Sequence, residues 1–429
     1  VSGVDRTWLW SNPSSYAYPQ NWIGVCCGSI GLAALAIGNE DSECNSLAGE
    51  VISKSMTPIT DLLCDFGPDG AWFEGPSYWE YAVRYLTMLL AAMDSSIETD
   101  FNLSNAPGYS NGPYYIIGNS GSEGVFNLND CPTELINSPE FFWFSNQYND
   151  PAPAEYRMKY LKKYSNGTTN DFRDIIWFNK DYVSDGTEIN SDGVWRGMNV
   201  ASARSGFEAD DIYAAIHGGE EGRDIGDLDY GTFILDMNGV RWAKDLGSEQ
   251  RNYAVQRNGV RWRYYRSRAE GHNTLVLNPN GGEEQDKTAI CPINIFEQNG
   301  SSAYAVTDIT DAYKTSGGKS VVRGMYVDKK SKTLTVQDEI ETAKSSEMYW
   351  FMHTDSDIEI RDGGRTAVLS QNGKRLGVSL IGGNGLKFTK SGANYLFSST
   401  DPGDSMSDDS KVSKLVIHGS GVTKDKFAV

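Results

Sequence analysis

The 429-residue chain is short of positive charge, of histidine and of paired cysteine, and each shortage closes off a class of function. Its 38 Lys and Arg against 57 Asp and Glu leave a formal charge of −19. That argues against nucleic acid as a partner, because phosphate binding needs a basic surface that releases counterions. No stretch approaches the roughly 20 apolar residues of a membrane span, so no membrane-crossing helix is expected. Six cysteines, Cys26, Cys27, Cys44, Cys64, Cys131 and Cys291, form no CxxC pair and no regular spacing, which points to neither a zinc finger nor a disulfide scaffold. Cys26 and Cys27 lie in an apolar helical stretch and are expected as buried free thiols. No secretory signal pattern follows Val1, so any export signal is expected to be encoded upstream of it.

Aromatics, by contrast, are plentiful at 12%, with 11 Trp and 23 Tyr. Flat ring faces suit the C–H faces of sugars, and they equally suit a large core. The length exceeds one ordinary core, and the patterning divides it in two. Residues 1–190 read as helices joined by loops, the clearest at 22–37, 47–66 and 78–93, where apolar residues recur at spacings of three and four. Helical patterning resumes weakly at 132–145 and more clearly at 154–164. Between 98 and 130 the composition turns to Asn, Gly, Ser and Pro, an irregular connection of the kind that often lines a site.

From about residue 194 the period becomes two. Phe233-Ile234-Leu235-Asp236-Met237, Asn238-Gly239 and Val240-Arg241-Trp242 read as a hairpin with a primed turn. A second Asn-Gly turn stands at Asn372-Gly373, and 325–340 reads as a hairpin around Lys329-Lys330-Ser331. The predicted class is α+β, with residues 191–429 forming an all-β unit long enough for a large two-sheet sandwich.

Three stretches carry candidate chemistry. In the first, Pro19-Gln20-Asn21-Trp22 opens a helix rich in small residues, Gly28, Ser29, Gly31, Ala33 and Ala34, which permit close approach in a bundle or toroid; Asn21 also reads as an N-cap. The second is a turn, Pro68-Asp69-Gly70-Ala71-Trp72-Phe73-Glu74-Gly75-Pro76-Ser77-Tyr78, which delivers carboxylates and a phenol to a helix start. Asp69 and Glu74 there read as a glycosidase acid/base pair, if their separation allows it. The third runs from His217-Gly218-Gly219 through Asp227-Leu228-Asp229-Tyr230-Gly231-Thr232-Phe233 to Lys244-Asp245-Leu246-Gly247 and Gly271-His272-Asn273-Thr274. An imidazole with two carboxylates suits a divalent metal, although Asp is common at turns. The one dense basic segment, 251–268, holds Arg251, Arg257, Arg261, Arg263, Arg266 and Arg268, and reads either as a local patch for a polyanion or as a solvated strand edge.

Together these stretches resemble the heparinase II/III-like polysaccharide lyases, over residues 19–277 and patchily between the motifs. The resemblance implies an incomplete N-terminal α/α toroid followed by an antiparallel β-sandwich. It implies β-elimination on an acidic, uronate-containing polysaccharide, with Asn21, Tyr78 and, as a second base, Tyr253 in catalysis. Asn21 would bind the uronate carboxylate as an electrostatic stabiliser and Tyr78 would protonate the leaving oxygen. Trp22, Glu74, Arg84, His217 and Arg261 are expected to line the substrate site, and nearby cations would bring down a tyrosine pKa that is ordinarily near 10.

Asp227, Asp245 and His272 fall on the family's metal-ligand positions, which implies one divalent ion in a structural role, zinc first, with calcium or manganese as harder alternatives. A bacterial, secreted, periplasmic or cell-surface setting is expected. Two departures stand out: Ile225 takes the place of the family's first β-domain histidine, and Trp22 that of the histidine beside the asparagine. Two other readings therefore stay open, a toroid glycoside hydrolase using Asp69 and Glu74, and a carbohydrate-binding relative without catalysis.

Overall fold

The computed structural model describes residues 20–164, 171–183, 189, 192–222, 226–249, 261–279, 283–403, 405 and 407–429. Two compact units emerge, one of Val1–Ile117 with Ile136–Asn190, the other of Gly118–Leu135 with Ser191–Val429.

The first unit is helical. It contains α1 (Asn21–Ile37), α2 (Ser42–Cys64), α3 (Pro76–Ile97), the short α4 (Gly112–Gly118) at its boundary, α5 (Glu140–Tyr148), α6 (Pro151–Lys163) and α7 (Phe172–Trp177). Small residues decide how α1 packs. A Cβ on Gly24 would lie 3.0 Å from the Ala82 carbonyl oxygen, one on Gly28 2.8 Å from that of Tyr85, and one on Gly31 2.7 Å from a Leu89 methyl. These glycines recur at helical spacing, so they form one face, and that face is pressed against the α3 backbone. The contacts ascend both helices in the same order, so α1 and α3 run parallel. A cap of aspartate starts three of the other helices: Asp41 accepts from Cys44 N–H at α2, Asp150 from Ala152 N–H at α6, and Asp171 from Arg173 N–H at α7. Neither α1 nor α3 has a side-chain cap or an acidic residue in its first turn.

Behind α3 the core is aromatic and partly ionic. Trp72 stacks on Phe66 with centroids 4.8 Å apart, and Trp79 Nε1 donates to the Gly70 carbonyl at 3.1 Å, which ties the turn before α3 to the helix. Arg84 pairs with Glu80, and Arg173 with Glu140 and Asp171. Burial pushes Glu80 up to about 7, Arg84 opposes the shift, and Glu140 adds to it.

The second unit holds β1 (Gly193–Trp195), β2 (Val200–Arg204), β3 (Tyr213–His217), β4 (Phe233–Met237) and β5 (Val240–Ala243) as a five-stranded antiparallel meander. Then come β6 (Leu275–Leu277), β7 (Ile293–Gln298), β8 (Ser302–Asp308), a helical turn α8 (Thr310–Tyr313), β9 (Gly318–Asp328), β10 (Thr333–Thr354), β11 (Asp357–Arg361), β12 (Thr366–Gln371), β13 (Lys374–Ser379), β14 (Ile381–Gly382), β15 (Phe388–Gly392) and β16 (Ser413–Ala428). Eight of these strands make a sheet in the order β14-β16-β10-β9-β8-β7, with β6 on β10 and β15 on β16; β11-β12-β13 form a third sheet. One continuous core joins inward residues of all three sheets, among them Phe233, Trp242, Met325, Trp350, Leu369 and Leu415.

The hairpin turns fall where local chemistry puts them. Asn238 and Gly239 have φ of 58° and 68°, and Asn372 and Gly373 have 50° and 73°, the left-handed pair that a primed turn requires. The hairpin read at 325–340 is the β9–β10 connection.

The division at residue 190 is too simple, because Gly118–Leu135 belongs to the β unit. That segment lends its carbonyls and carboxylates to the β unit's cations: Arg241 donates to the Val125 and Gly124 carbonyls at 2.8 and 3.0 Å, and Arg261 to Asp130. All the cysteines are free, with Cys27 buried and Cys26 partly so.

Candidate functional site

In the helical unit the parallel pairing of α1 and α3 sets Asn21 and Tyr78 at the same end of two neighbouring helices, each in its first turn. Gly75, at φ 94°, delivers α3 into that position. Asn21 is only 2% exposed, and Glu74 fixes it: the Asn21 backbone N–H donates to Glu74 Oε2 and its Nδ2 to Oε1, both at 2.8 Å. Trp72 Nε1 donates to the same carboxylate at 3.0 Å. A carboxylate only accepts, so Glu74 dictates which end of the Asn21 amide is nitrogen. Asn21 Oδ1 is left buried with no donor among the described residues.

Glu74 itself is buried with both oxygens taken by N–H donors, so its contact is with Asn21 and Trp72; Asp69 is partly exposed. Asn21 is the first helical residue, and the N-cap position falls to Gln20. Trp22 is 48% exposed, an aromatic face open to solvent, and Tyr78 is partly buried. Arg84 is partly exposed and held by Glu80 through two hydrogen bonds of 2.8 Å.

In the β unit the motif residues gather into a buried charged cluster. His217 ends β3, where its N–H donates to the Thr232 carbonyl and its own carbonyl accepts from Gly231 N–H, so the strand end and the approach to β4 are stitched together. Nδ1 of His217 lies 3.1 Å from Asp229 Oδ1, and Nε2 lies 3.6 Å from Glu221 Oε1. Gly219 makes room for that carboxylate, since a Cβ there would sit 2.7 Å from Glu221 Oε1, and its φ of +123° suits glycine alone. Burial opposes charge on His217, but Asp229 and Glu221 outweigh it and hold its pKa up to about 9. Burial, reinforced by Asp229 and Asp227, pushes Glu221 up to about 8, while His217 pulls the other way.

Arg261 is 2% exposed and spends its guanidinium internally: Nη1 and Nη2 reach Asp130 at 3.2 and 3.0 Å, Nη2 reaches Asp227 Oδ1 at 2.7 Å, and Nε donates to the Gly226 carbonyl at 3.0 Å. Burial raises Asp227 to about 7 against the pull of Arg261 and His272. The basic segment thus is not a free patch over its described part. Arg266 is held by Asp409 and Arg268 by Glu284, which leaves Arg263 as the exposed arginine of 261–268. Arg251, Tyr253, Arg257 and Ile225 lie outside the described residues.

The divalent ion that the resemblance implies was to be held by Asp227, Asp245 and His272, and these residues do not fit it as placed. His272 turns Nδ1 to Asp245 Oδ2 at 2.7 Å, which makes Asp245 the acceptor for the ring's own proton, and Asp245 Oδ1 accepts from Gly247 N–H at 2.8 Å. Asp227 gives Oδ1 to Arg261. His272 Nε2 is buried without a partner among the described residues. Among those residues, the group that brings three ligand atoms within 4.8 Å of one another is His217, Glu221 and Asp229. His217, expected to touch substrate, is 1% exposed and turned to these carboxylates.

The rest of the Gly-His-Asn-Thr stretch braces strands. Asn273 Nδ2 donates to the Phe233 and Lys244 carbonyls at 2.7 and 2.9 Å, its Oδ1 accepts from His353 N–H at 2.6 Å, and Thr274 Oγ1 donates to the Tyr230 carbonyl at 2.5 Å. Glu221, Asp229 and Asp130 are the members of the cluster that motif reading passed over. The signal for Glu221 was its place four residues after His217, across a Gly-Gly pair.

The family described as heparinase II/III-like, C-terminal, matches residues 207–421, half of the chain. No curated protein sequence matches it. The fold is similar to that of a crystal structure of heparinase III, with a TM-score of 0.67 at 10% identity, covering 94% of this chain and 60% of that one. It is also similar to heparan sulfate lyase from Pedobacter heparinus, with a TM-score of 0.63 at 13% identity over 94% of this chain and 58% of that one. The chain therefore spans about three fifths of the length of the structures it resembles. Among the described residues no helix is long and apolar enough to cross a membrane.

Proposed function

Because the chain belongs to the heparinase II/III-like family, we propose that it is a polysaccharide lyase that cleaves a uronate-containing polysaccharide by β-elimination. The observation that carries this reading is the pairing of Asn21 and Tyr78 at the same end of parallel α1 and α3, with the amide of Asn21 oriented by Glu74. The helices are read as part of an α/α toroid, and the core shared by the sheets supports a β-sandwich.

In the reaction the C5 proton of the uronate is removed, the C4–O bond breaks, and a C4–C5 double bond forms. The carboxylate beside C5 must first be neutralised, or the developing enolate costs too much. Asn21 supplies what that needs: a second Nδ2 hydrogen to donate, and in Oδ1 a buried acceptor for a protonated carboxyl. Tyr78 delivers a proton to the departing oxygen and, once ionised, takes the C5 proton; Tyr253 is the second candidate base. Trp22 offers a face on which a sugar ring stacks. A polymeric substrate accords with a secreted, periplasmic or cell-surface setting, which is the localisation we propose. No step is assigned to a metal.

The hydrolase reading loses ground because both Glu74 oxygens are committed to N–H donors rather than turned toward a sugar. The deciding experiment is ultraviolet absorbance during incubation with heparan sulfate, alginate, chondroitin and hyaluronan, run beside Tyr78→Phe. A rise from the conjugated product that disappears in the variant is expected. New reducing ends with no rise in absorbance would overturn elimination in favour of hydrolysis, and binding with no product would make the chain a carbohydrate-binding relative.

A further inference from the structure

We propose that His217, Glu221 and Asp229 form a site for a zinc-type divalent cation in the β unit, separate from the Asp245–His272 pair. The argument is first one of distance. His217 Nε2 and Glu221 Oε1 stand 3.6 Å apart, beyond the roughly 2.7–3.2 Å of an N–H···O hydrogen bond. Two ligands each about 2.1 Å from a tetrahedral ion stand about 3.4 Å apart, so the gap is close to what a shared cation sets. The other ring nitrogen is already arranged for it. Nδ1 faces Asp229 Oδ1 at 3.1 Å and carries a proton, because a carboxylate only accepts; Nε2, facing Glu221, holds the second proton of the imidazolium, and a cation entering there displaces it. A histidine steered by a carboxylate through its remote nitrogen is the usual support for a metal ligand.

The second observation is an unsatisfied atom. Asp229 is fully buried, and its Oδ2 has no partner among the described residues. An orphaned carboxylate oxygen in a dry interior is costly, and a cation beside it removes that cost. Charge balance points the same way. Asp130, Glu221, Asp227, Asp229 and Asp245 are all buried here, facing one guanidinium, Arg261, and two imidazoles, His217 and His272. Five carboxylates around three cationic side chains are the acidic surroundings in which a divalent ion takes the place of bound protons. The site is also anchored. Glu221 N–H donates to Tyr230 Oη at 3.1 Å, and that hydroxyl donates to the Ala289 carbonyl at 2.9 Å. The proposed role is to clamp the end of β3 to the segment that leads into β4.

The test titrates Zn2+ into the full chain after chelation and dialysis, by calorimetry, for wild type, Glu221→Gln and Asp245→Asn, with folding checked by circular dichroism. One Zn2+ per chain is expected, weakened about 100-fold or more in Glu221→Gln and little changed in Asp245→Asn. Crystals of the wild-type chain with Zn2+, measured at the zinc edge, give an answer that does not depend on either variant folding: the anomalous peak is expected beside His217 Nε2. Absence of stoichiometric binding, binding that Glu221→Gln leaves intact, or a peak at Asp245–His272 instead would overturn the proposal.

Discussion

Replacing Glu74 with glutamine tests the catalytic reading at its least obvious point, because the substitution keeps shape and removes only charge and one acceptor. Glu74 now receives three donors, at 2.8, 2.8 and 3.0 Å. In Glu74→Gln the side-chain oxygen retains the Asn21 N–H and Trp72 Nε1, and the new amide nitrogen faces Asn21 Nδ2. Two donors cannot bond, so the Asn21 amide flips and presents Oδ1 to the glutamine. What is lost is the charge assistance, about 1–3 kcal/mol for hydrogen bonds to a charged group. At about 2–4 °C per kcal/mol for a unit of this size, the melting temperature drops by several degrees and the chain stays folded. Catalysis pays more heavily. The flip exchanges nitrogen for oxygen where the proposed reaction docks the substrate carboxyl, and a misplaced stabilising group costs about 10²–10³ in kcat. The assay is the initial rate of ultraviolet absorbance increase on the substrate that wild type cleaves, next to a thermal melt. A folded Glu74→Gln protein with wild-type kcat would refute the claim that Glu74 acts by orienting Asn21.

Further expectations rest on other parts of the fold. Gly28→Leu drives a side chain into the Tyr85 backbone, where even a Cβ would come within 2.8 Å, and is expected to destabilise by about 1–3 kcal/mol or more, read as a lower melting temperature. Arg261→Met leaves Asp130 and Asp227 buried without their guanidinium; breaking a buried pair typically costs about 3–5 kcal/mol, and a denaturant midpoint equal to wild type would show that the pairing contributes nothing. Glu80 is held near 7 in the folded chain against an ordinary 4.5, so the folded state binds its proton more tightly. Its contribution is therefore full below about pH 4.5 and is lost as pH rises toward 7, and Glu80→Gln is expected to flatten that part of the stability–pH profile.

Local chemistry was legible in the sequence, and long-range pairing was not. Asn238-Gly239 and Asn372-Gly373 mark their turns because the left-handed conformation is a property of those residues alone. The small residues of α1 announced a close helix neighbour, but nothing in them named α3 or the parallel direction, since the partner surface is the backbone of Ala82 and Tyr85. Asn21 and Tyr78 are singled out by resemblance alone; Glu74, which orients Asn21, reads in the sequence as a substrate ligand because its hydrogen-bond partner lies 53 residues away. The arginines of 261–268 show the same limit. Their charge is plain in the sequence, but Asp130, which neutralises Arg261 from 131 residues earlier, sits in a stretch that reads as featureless loop. In the His217 region the resemblance points to Asp227, Asp245 and His272, whereas side-chain direction brings His217, Glu221 and Asp229 together.

The parallel run of α1 and α3 also bears on how a chain of charge −19 would receive the polyanion proposed for it. The aligned peptide dipoles of a helix put roughly half an elementary positive charge at its start. Two parallel neighbours present that pole on one side, and neither helix carries a first-turn acid or a side-chain cap of its own, unlike α2, α6 and α7, although the Glu74 carboxylate offsets part of the charge at the start of α1. Glu74 takes the first N–H of α1, and Ile23 N–H and Trp79 N–H bond the Gln20 and Gly75 carbonyls, so what remains at these starts is a summed field rather than a row of open donors. Attraction of this kind comes from the backbone, acts only within a few ångströms, and carries no lysine that salt could strip of its partner. For the acidic substrate proposed above, that makes a single local point of attraction on an otherwise acidic surface.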